Sequence, residues 1–167
     1  TILPEVGLAG QEKLRNSKVL VVGAGGLGSS ALMSLAGLGI GTIGICEFDV
    51  LEIHNLHRQY LFGFDGIGCD KNDLARERIL KINPYITVKQ HPQRLTSENV
   101  MEVIEDYSII LDCTDNFPTK FLLNDACVLS GKFLVQASVY QFEGQIHTIA
   151  PSGKHCLRCL WKDIPEQ

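Results

Sequence analysis

The stretch EFDVLEIHNLHRQYLF, residues 47–62, places five polar side chains between two apolar runs. These side chains belong to His54, Asn55, His57, Arg58 and Gln59. Asn55 and Arg58 are three residues apart, so a short helical turn would place both on one face. A guanidinium and an amide are suitable donors to phosphate oxygens, and Lys71 at the start of the next predicted helix can supply a second positive charge. The pattern therefore predicts a cationic phosphate site.

A glycine loop precedes this stretch. The segment GAGGLG, residues 23–28, follows the apolar run KVLVVG and opens a predicted helix, and its glycines fit G-x-G-x-x-G. Such glycines let backbone N–H groups approach a phosphate chain at the positive end of a helix. Glu47 ends the next predicted strand, where a carboxylate can accept hydrogen bonds from both ribose hydroxyls. Taken alone, the loop indicates an adenine nucleotide and favours NAD.

Asp115 follows the predicted strand SIILDC, residues 108–113. The carboxyl ends of parallel strands face the ligand crevice, so Asp115 is placed to hold Mg²⁺. Gly26 and Glu47 would then form an adenosine site beside the phosphate site and the metal carboxylate. This combination favours a nucleoside triphosphate over NAD. Non-functional interpretations of these residues remain open. Glu47 could be a solvated strand end, Lys71 a solvated lysine and Asp115 a helix cap. Asn55, His57 and Arg58 could form a structural turn with surface charges.

The elements that must position these groups alternate along the chain. Strands are predicted at residues 18–23, 42–48, 86–90, 108–113, 132–139 and 144–150, and helices at 26–40, 69–83, 97–107 and 116–131. This order predicts an α/β fold: a Rossmann-like, mostly parallel sheet with helices on both faces. Only YQFE separates the last two strands, which predicts a hairpin and antiparallel strands at the far end. The apolar helix positions are Leu27, Ala31, Leu35 and Leu38; Ala75, Ile79 and Ile82; and Leu122, Ala126 and Leu129, with Ser97 as a predicted N-cap.

Composition narrows the class of protein. The chain has 167 residues, 45% hydrophobic residues, 20% charged residues and a formal net charge of −4. These values favour one folded domain and give no sign of disorder, of a membrane span or of a nucleic-acid partner. The start, TILPEVGLAG, has neither the basic nor the apolar region of a signal peptide. We predict a nucleotide-binding domain at residues 1–150 and the start of an incomplete zinc-knuckle segment at 151–167.

The cysteines suggest a metal rather than a disulfide framework. Cys156 and Cys159 have the C-x-x-C spacing of a zinc knuckle, but one such pair is half of a four-ligand site. A redox pair is the alternative, and it is disfavoured because the motif does not open a helix after a strand. Cys46, Cys113 and Cys127 are expected to pack inertly, and Cys69 to be more exposed. This usage suits a reducing compartment and predicts a cytoplasmic protein.

Over nearly its whole length the chain resembles the MoeB, ThiF and HesA group of adenylyltransferases, which activate ubiquitin-like sulfur-carrier proteins. The matching segments, in order, are ILPEVGLAGQEKL, VLVVGAGGLGS, FDVLEIHNLHRQYLF, ARERILKINP, LDCTDNFPTKFLLNDACV, ASVYQFEGQI and CLRCLW. By this resemblance, Gly26 and Glu47 contact the adenosine of ATP. Asn55, Arg58 and Lys71 hold its triphosphate, with Arg58, Lys71 and Asp115 acting in catalysis. Asp115 binds Mg²⁺, with Asn116 beside it.

The resemblance also implies a homodimer and a reaction. ATP would adenylate the C-terminal glycine of the carrier and release pyrophosphate, while an NAD-dependent oxidoreductase or an inactive partner subunit remain the alternatives. The family usually has Asp where this chain has Glu47, and Ser where it has His54. Its N-terminal helix, with an arginine that enters the partner subunit's site, would precede Thr1, and members run well beyond Gln167. We therefore interpret the chain as covering the adenylation core.

Overall fold

One six-stranded sheet organises residues 3–161, which are the residues that the computed structural model describes. The strands are β1 (Lys18–Val22), β2 (Thr42–Cys46), β3 (Thr87–His91), β4 (Ile109–Asp112), β5 (Phe133–Tyr140) and β6 (Glu143–Ile149). The helices are α1 (Gly7–Asn16), α2 (Gly26–Leu38), α3 (Lys71–Ile82), α4 (Val100–Glu105), α5 (Phe117–Ser130) and α6 (Leu157–Leu160).

The strand order is β3-β2-β1-β4-β5-β6. The pairs from β3 to β5 are all parallel, whereas β5 and β6 pair antiparallel as a hairpin. This order confirms the predicted Rossmann-like sheet and its antiparallel far end. The crevice of such a sheet lies at the carboxyl ends of the strands on either side of the point where the order reverses, here β1 and β4.

The central strand β1 shows why the sheet is covered on both sides. Leu20 and Val22 belong to an apolar cluster that includes residues of α4 and α5, whereas Val19 and Val21 belong to a second cluster that includes residues of α2 and α3. Successive side chains of a strand point to opposite faces, so each cluster takes alternate residues. A continuous apolar run is what a strand buried on both faces requires. The predicted helices on both faces are thus confirmed.

Several local predictions need correction. Ala75, Ile79 and Ala126 are buried as expected, but Leu38, Ile82 and Leu129 are exposed. The fully buried positions of α2 are Gly28, Ser29, Leu32 and Ala36, whereas the predicted Leu35 packs against the second apolar cluster while only partly buried. The helix α4 begins at Val100 with Asn99 as its N-cap, so Ser97 does not cap it.

The helix α1 has no counterpart among the predicted elements. It carries no buried residue, so the sequence offers no strong apolar stripe by which to detect it. The carbonyl of Leu14 accepts hydrogen bonds from the backbone N–H groups of Ser17 and Gly41, which fixes the end of α1 beside the start of β2. No helix within residues 3–161 is long and apolar enough to span a bilayer. Residues 162–167 of the predicted zinc-knuckle segment lie outside the described range.

Candidate nucleotide site

The glycine loop turns the chain from β1 into α2 at the edge of the crevice. Gly23 has a φ of 89°, a backbone conformation that favours glycine. A Cβ at Gly23 would lie 3.0 Å from the carbonyl oxygen of Cys113, and one at Gly28 would collide with the carbonyl of Gly23. These glycines are therefore required for close approach of the loop, the helix and the end of β4. The N-cap of α2 is Gly25, which has no side chain to accept hydrogen bonds from the first N–H groups of the helix. These N–H groups can therefore bind an anion at the helix N-terminus.

Glu47 connects the end of β2 to this loop. Its side chain is buried, and its Oε2 accepts a hydrogen bond of 2.8 Å from the backbone N–H of Ala24. Its Oε1 accepts from the N–H groups of Phe48 at 2.8 Å and Asp49 at 3.0 Å. The interpretation of Glu47 as a solvated strand end is thus wrong. Oε1 already accepts two of these three hydrogen bonds, so the lone pair that remains on Oε2 can accept from one ribose hydroxyl.

The polar stretch after β2 folds over the glycine loop. Ile53–Asn55 forms a 3-10 turn, and Asn55 is buried with its Oδ1 accepting from the N–H of Glu52 at 3.0 Å. The side chain of Arg58 lies against the glycine loop, because a Cβ at Gly26 would be 3.6 Å from its Cγ and 3.7 Å from its Cδ. The chain thus brings Arg58 and Gly26 together at the start of α2.

The guanidinium of Arg58 is oriented by its own turn. Its Nη1 donates to the carbonyl of His54 at 3.4 Å and lies 3.3 Å from Nε2 of His57. His54 itself is exposed, with Nδ1 3.3 Å from a carboxylate oxygen of Glu52. Both histidines therefore take part in interactions within the turn itself.

Lys71 begins α3 and is buried, so its interpretation as a solvated lysine is wrong. Its Nζ lies 3.6 Å from Oδ2 of Asp49, and its backbone N–H donates to the carbonyl of Asp49 at 3.0 Å. Asp49 is two residues beyond Glu47, so the amine sits near the carboxyl end of β2. A buried lysine beside a half-exposed carboxylate can exchange that partner for a phosphate oxygen.

Asp115 and Asn116 occupy the loop between β4 and α5. Asp115 is exposed, whereas the N-cap of α5 is Asn116, whose Oδ1 accepts from the N–H of Thr119 at 2.9 Å. The interpretation of Asp115 as the cap of this helix is therefore wrong. An exposed carboxylate at the crevice edge fits the hard oxygen ligands that Mg²⁺ prefers.

Sequence reasoning missed a buried polar cluster below this loop. The carboxylate of Asp112, at the end of β4, is fully buried and lies 3.4 Å from Nζ of Lys120 and 2.8 Å from Nε2 of Gln136. Lys120 also donates to the carbonyl of Ala137 at 2.9 Å. The available signal was Lys120, which directly precedes the apolar run FLL in the predicted helix. A lysine that a helix buries requires a charged or polar partner.

The C-x-x-C segment opens α6, because Cys156 is the N-cap of that helix, so the expectation that the motif does not open a helix is wrong. The Sγ atoms of Cys156 and Cys159 are 3.9 Å apart, close to the roughly 3.8 Å between two thiolates on a tetrahedral zinc ion with Zn–S bonds of about 2.3 Å. The segment is docked on α5, because Asn124 accepts from the N–H of Leu157 at 2.8 Å and Asp125 pairs with Arg158. Within residues 3–161, no group of three or more His, Cys, Asp or Glu side chains could hold a metal ion.

The remaining cysteines behave as packing residues. Burial is the main cause that raises the pKa of Cys46, Cys113 and Cys127, each to about 12. These thiols therefore stay protonated at neutral pH and are poor nucleophiles. Cys69 is exposed, as predicted.

Known proteins resemble this chain over its whole length. A family model described as "ThiF family" matches residues 1–167. The chain is 44% identical to a sulfur carrier protein adenylyltransferase of Thermus thermophilus, across 98% of this chain and 62% of that protein. It is 45% identical to the probable adenylyltransferase/sulfurtransferase MoeZ of Mycobacterium tuberculosis, across 99% of this chain and 39% of that one. The chain thus spans between about two fifths and three fifths of the length of these relatives.

Solved structures agree on the fold. The crystal structure of Escherichia coli MccB with ATP has a TM-score of 0.80 and 28% identity, covering 89% of this chain and 45% of that one. The E. coli tRNA N6-threonylcarbamoyladenosine dehydratase TcdA, in complex with AMP, has a TM-score of 0.75 and 31% identity, covering 78% of this chain and 53% of that one. Together with the family match and the assembled glycine loop, these likenesses establish that the chain belongs to the ThiF family.

Proposed function

We propose that this chain is the adenylation core of an enzyme that uses ATP to adenylate the C-terminal glycine of a ubiquitin-like sulfur-carrier protein. The observation that carries the proposal is the contact of Arg58 with Gly26 at the start of α2. A phosphate chain at that helix end would meet backbone N–H groups and a guanidinium together. The names of the relatives, sulfur carrier protein adenylyltransferase and MoeZ, support the choice of substrate class.

The reaction needs positioning and charge stabilisation more than acid–base chemistry. The carboxylate of the carrier attacks the α-phosphorus of ATP, the bond to the pyrophosphate breaks, and an acyl-adenylate remains. The substrate carboxylate is already the nucleophile, so no general base is required. Gly26 and Glu47 bind the adenosine, and Asn55, Arg58 and Lys71 orient the triphosphate and neutralise its growing charge.

Two metal ions have candidate ligands. Asp115, with Asn116 beside it, would hold Mg²⁺, which supplies charge neutralisation at the phosphates when bound. Cys156 and Cys159 would supply two of the four ligands of a structural Zn²⁺ in a segment that starts near residue 151, whereas residues 1–150 form the adenylation domain. Metal analysis of the full-length protein should give about one zinc per subunit, and Cys156→Ser should abolish it.

The decisive experiment is ATP–pyrophosphate exchange with a panel of carriers ending in Gly-Gly. Exchange is expected only with a matching carrier, and removal of the last glycine from that carrier is the control. Isothermal titration distinguishes the NAD-dependent alternative, because it should show MgATP binding and no NADH binding. An inactive partner subunit is disfavoured because Arg58, Lys71 and Asp115 are all present.

A homodimer in the cytoplasm completes the proposal. Exposed apolar residues of the β5–β6 hairpin, among them Val139, Phe142 and Ile146, support a subunit interface that would bury above about 2,000 Å² in total. Light scattering of the full-length protein at high concentration should give twice the subunit mass. The cysteine usage supports a reducing compartment, which a fluorescent fusion can test in cells.

A further inference from the structure

The loop that carries Asp115 is bracketed by a buried charge pair. Asp112 is the last residue of β4 and is paired in register with Val22 of β1 and Gln136 of β5, in the middle of the sheet. Lys120 lies on α5, one turn beyond its N-cap Asn116, and its backbone N–H donates to the carbonyl of Asn116 at 3.2 Å. The 3.4 Å pair between Asp112 and Lys120 therefore joins the strand before the loop to the helix after it.

The other oxygen of Asp112 holds the loop itself. Its Oδ1 accepts from the backbone N–H of Thr114 at 3.0 Å and from the Thr114 hydroxyl at 2.6 Å. Such an Asx-type arrangement fixes the backbone two residues beyond the aspartate. Thr114 immediately precedes Asp115, so the buried carboxylate sets the direction in which the chain presents that side chain.

The same loop touches the glycine loop. The backbone N–H of Cys113 donates to the carbonyl of Val22 at 2.9 Å, and a Cβ at Gly23 would lie 3.4 Å from the backbone nitrogen of Thr114. A shift of Thr114 would therefore move both the loop that carries Asp115 and the neighbouring glycine loop.

We infer that Asp112, held by Lys120 and Gln136, is a positioning residue that fixes the β4–α5 loop so that Asp115 and Asn116 meet the nucleotide in one geometry. This role rests on the proposed function for its effect on catalysis. The burial of the pair supports this positioning role. The carboxylate and the ammonium are both nearly inaccessible to water, so their lost hydration must be replaced by interactions with each other in a defined geometry. The structural consequence, an ordered Thr114 amide, does not depend on any ligand.

Lys120→Met removes the charge that anchors Asp112, and Lys132→Met is its matched control. Like Lys120, Lys132 donates to the backbone: its Nζ binds the carbonyls of Glu105 at 2.7 Å and Tyr107 at 2.6 Å. These contacts lie at the amino ends of β4 and β5, on the side of the sheet away from the crevice. We expect Lys120→Met to lower kcat for pyrophosphate exchange about 10²-fold, as a displacement of about 1 Å can do, with little change in KM for ATP. Lys132→Met should lower stability and leave kcat unchanged.

Hydrogen exchange of the Thr114 amide, without nucleotide or metal, provides a readout independent of activity. At equal distance from each variant's melting temperature, this amide should exchange at least about 10-fold faster in Lys120→Met than in Lys132→Met. Lys120→Arg, which keeps the charge, should restore both exchange protection and kcat. Equal exchange of the Thr114 amide in both methionine variants would overturn the positioning role, whether or not the protein proves to be an adenylyltransferase.

Thr114→Val keeps the inference testable if Lys120→Met fails to fold. This nearly isosteric change removes only the hydroxyl that donates to Asp112 at 2.6 Å. It should lower kcat about 3- to 10-fold and speed exchange at the Asp115 and Asn116 amides. Unchanged kcat together with unchanged exchange in Thr114→Val would likewise overturn the inference.

Discussion

The crevice and the antiparallel β5–β6 edge of the sheet treat polar and apolar side chains in opposite ways. At the crevice, the carboxylates of Glu47 and Asp112 are buried and accept hydrogen bonds from backbone or side-chain donors. At the far end, the β5–β6 hairpin leaves Phe142 fully exposed and Ile146 about 74% exposed. Burial of charge and exposure of large apolar groups are both unfavourable for an isolated domain.

The difference indicates what each end is for. Buried carboxylates with fixed partners give a preorganised crevice, in which donors need no rearrangement when charge develops on a substrate. Exposed apolar side chains give a surface that gains stability when it is covered. The crevice should therefore tolerate almost no change in its charged groups, whereas the far end should respond to changes through assembly and stability.

The largest effect is expected at Asp115. Asp115→Ala should lower kcat for adenylation about 10²- to 10³-fold, or about 3–4 kcal/mol, because a ligand of Mg²⁺ acts most strongly in the transition state. ATP affinity should fall less than kcat. The fold should remain intact, because Asp115 is exposed and the cap of α5 is Asn116.

Asn116→Ala separates a metal role from a capping role. Loss of the Oδ1 acceptor should lower the free energy of unfolding by about 1 kcal/mol, which Asp115→Ala should not do. Asp115→Ala with near-normal pyrophosphate exchange would show that the metal assignment is wrong.

A smaller effect is expected at Lys71. Lys71→Met should weaken ATP binding about 10- to 100-fold, the value of a lost charge-assisted hydrogen bond. Lys81→Met is the matched control on the same helix, because Lys81 pairs with Glu77 at the surface, at 2.6 Å. Isothermal titration should show unchanged ATP affinity for the control, and equal affinities for both variants would contradict a phosphate role for Lys71.

The predictable part of the molecule is the part whose signals are local. The run KVLVVG followed by GAGGLG specifies a buried strand, a tight loop and a helix within a few residues. The alternation of elements then fixes a parallel sheet, and the carboxyl ends of its strands locate the crevice. For this reason the sequence could assign Gly26 and Arg58 to the same crevice even though these residues are far apart in sequence, whereas their direct contact is seen only in the structure.

The less predictable part depends on contacts between distant segments. Nothing local shows that Gln136 of β5 would donate to Asp112 of β4, because the pairing exists only once the sheet is formed. Some predictions of the buried helix faces failed for a related reason. Leu38 and Leu129 are apolar, but within the described part of the chain nothing packs over them and both are exposed. The N-terminal helix escaped detection because it carries no buried residue that would mark an apolar stripe, although Leu14 packs partly buried against the second apolar cluster.

At the far end, Ile146→Asp should disturb assembly without affecting the fold. Ile146 lies on β6 opposite Ala137, in the hairpin, so a charge there would oppose an apolar interface. We expect the dimer dissociation constant to rise at least about 10-fold in analytical ultracentrifugation. Tyr85→Asp, at an even more exposed aromatic residue preceding β3, should leave the dimer dissociation constant unchanged. Unaltered dimer affinity in Ile146→Asp would place the interface elsewhere.

The smallest effect is expected where the C-x-x-C segment is docked on α5. Arg158 donates to both carboxylate oxygens of Asp125, at 3.0 and 2.6 Å, and this hydrogen bonding is the main cause that holds the pKa of Asp125 below its ordinary value. The pair is partly exposed, so the coupling free energy between its two residues should be small. A double-mutant cycle with Asp125→Asn and Arg158→Gln should give about 0.5–1 kcal/mol near neutral pH. Breaking the buried pair of Asp112 and Lys120 should have a far larger effect.

The pH dependence of that coupling identifies its origin. Because the pKa of Asp125 is lower in the folded than in the unfolded state, its stabilisation is complete above the unfolded value of about 3.9 and is lost as the pH falls through the folded value. Urea unfolding, which adds no salt that would screen the charges, should show the coupling near pH 7 and its progressive loss as the pH falls below the unfolded value of about 3.9. A coupling that persists unchanged in acid would show that packing, such as that of Arg158 over the ring of Phe121 at 5.0 Å, and not charge, docks the segment.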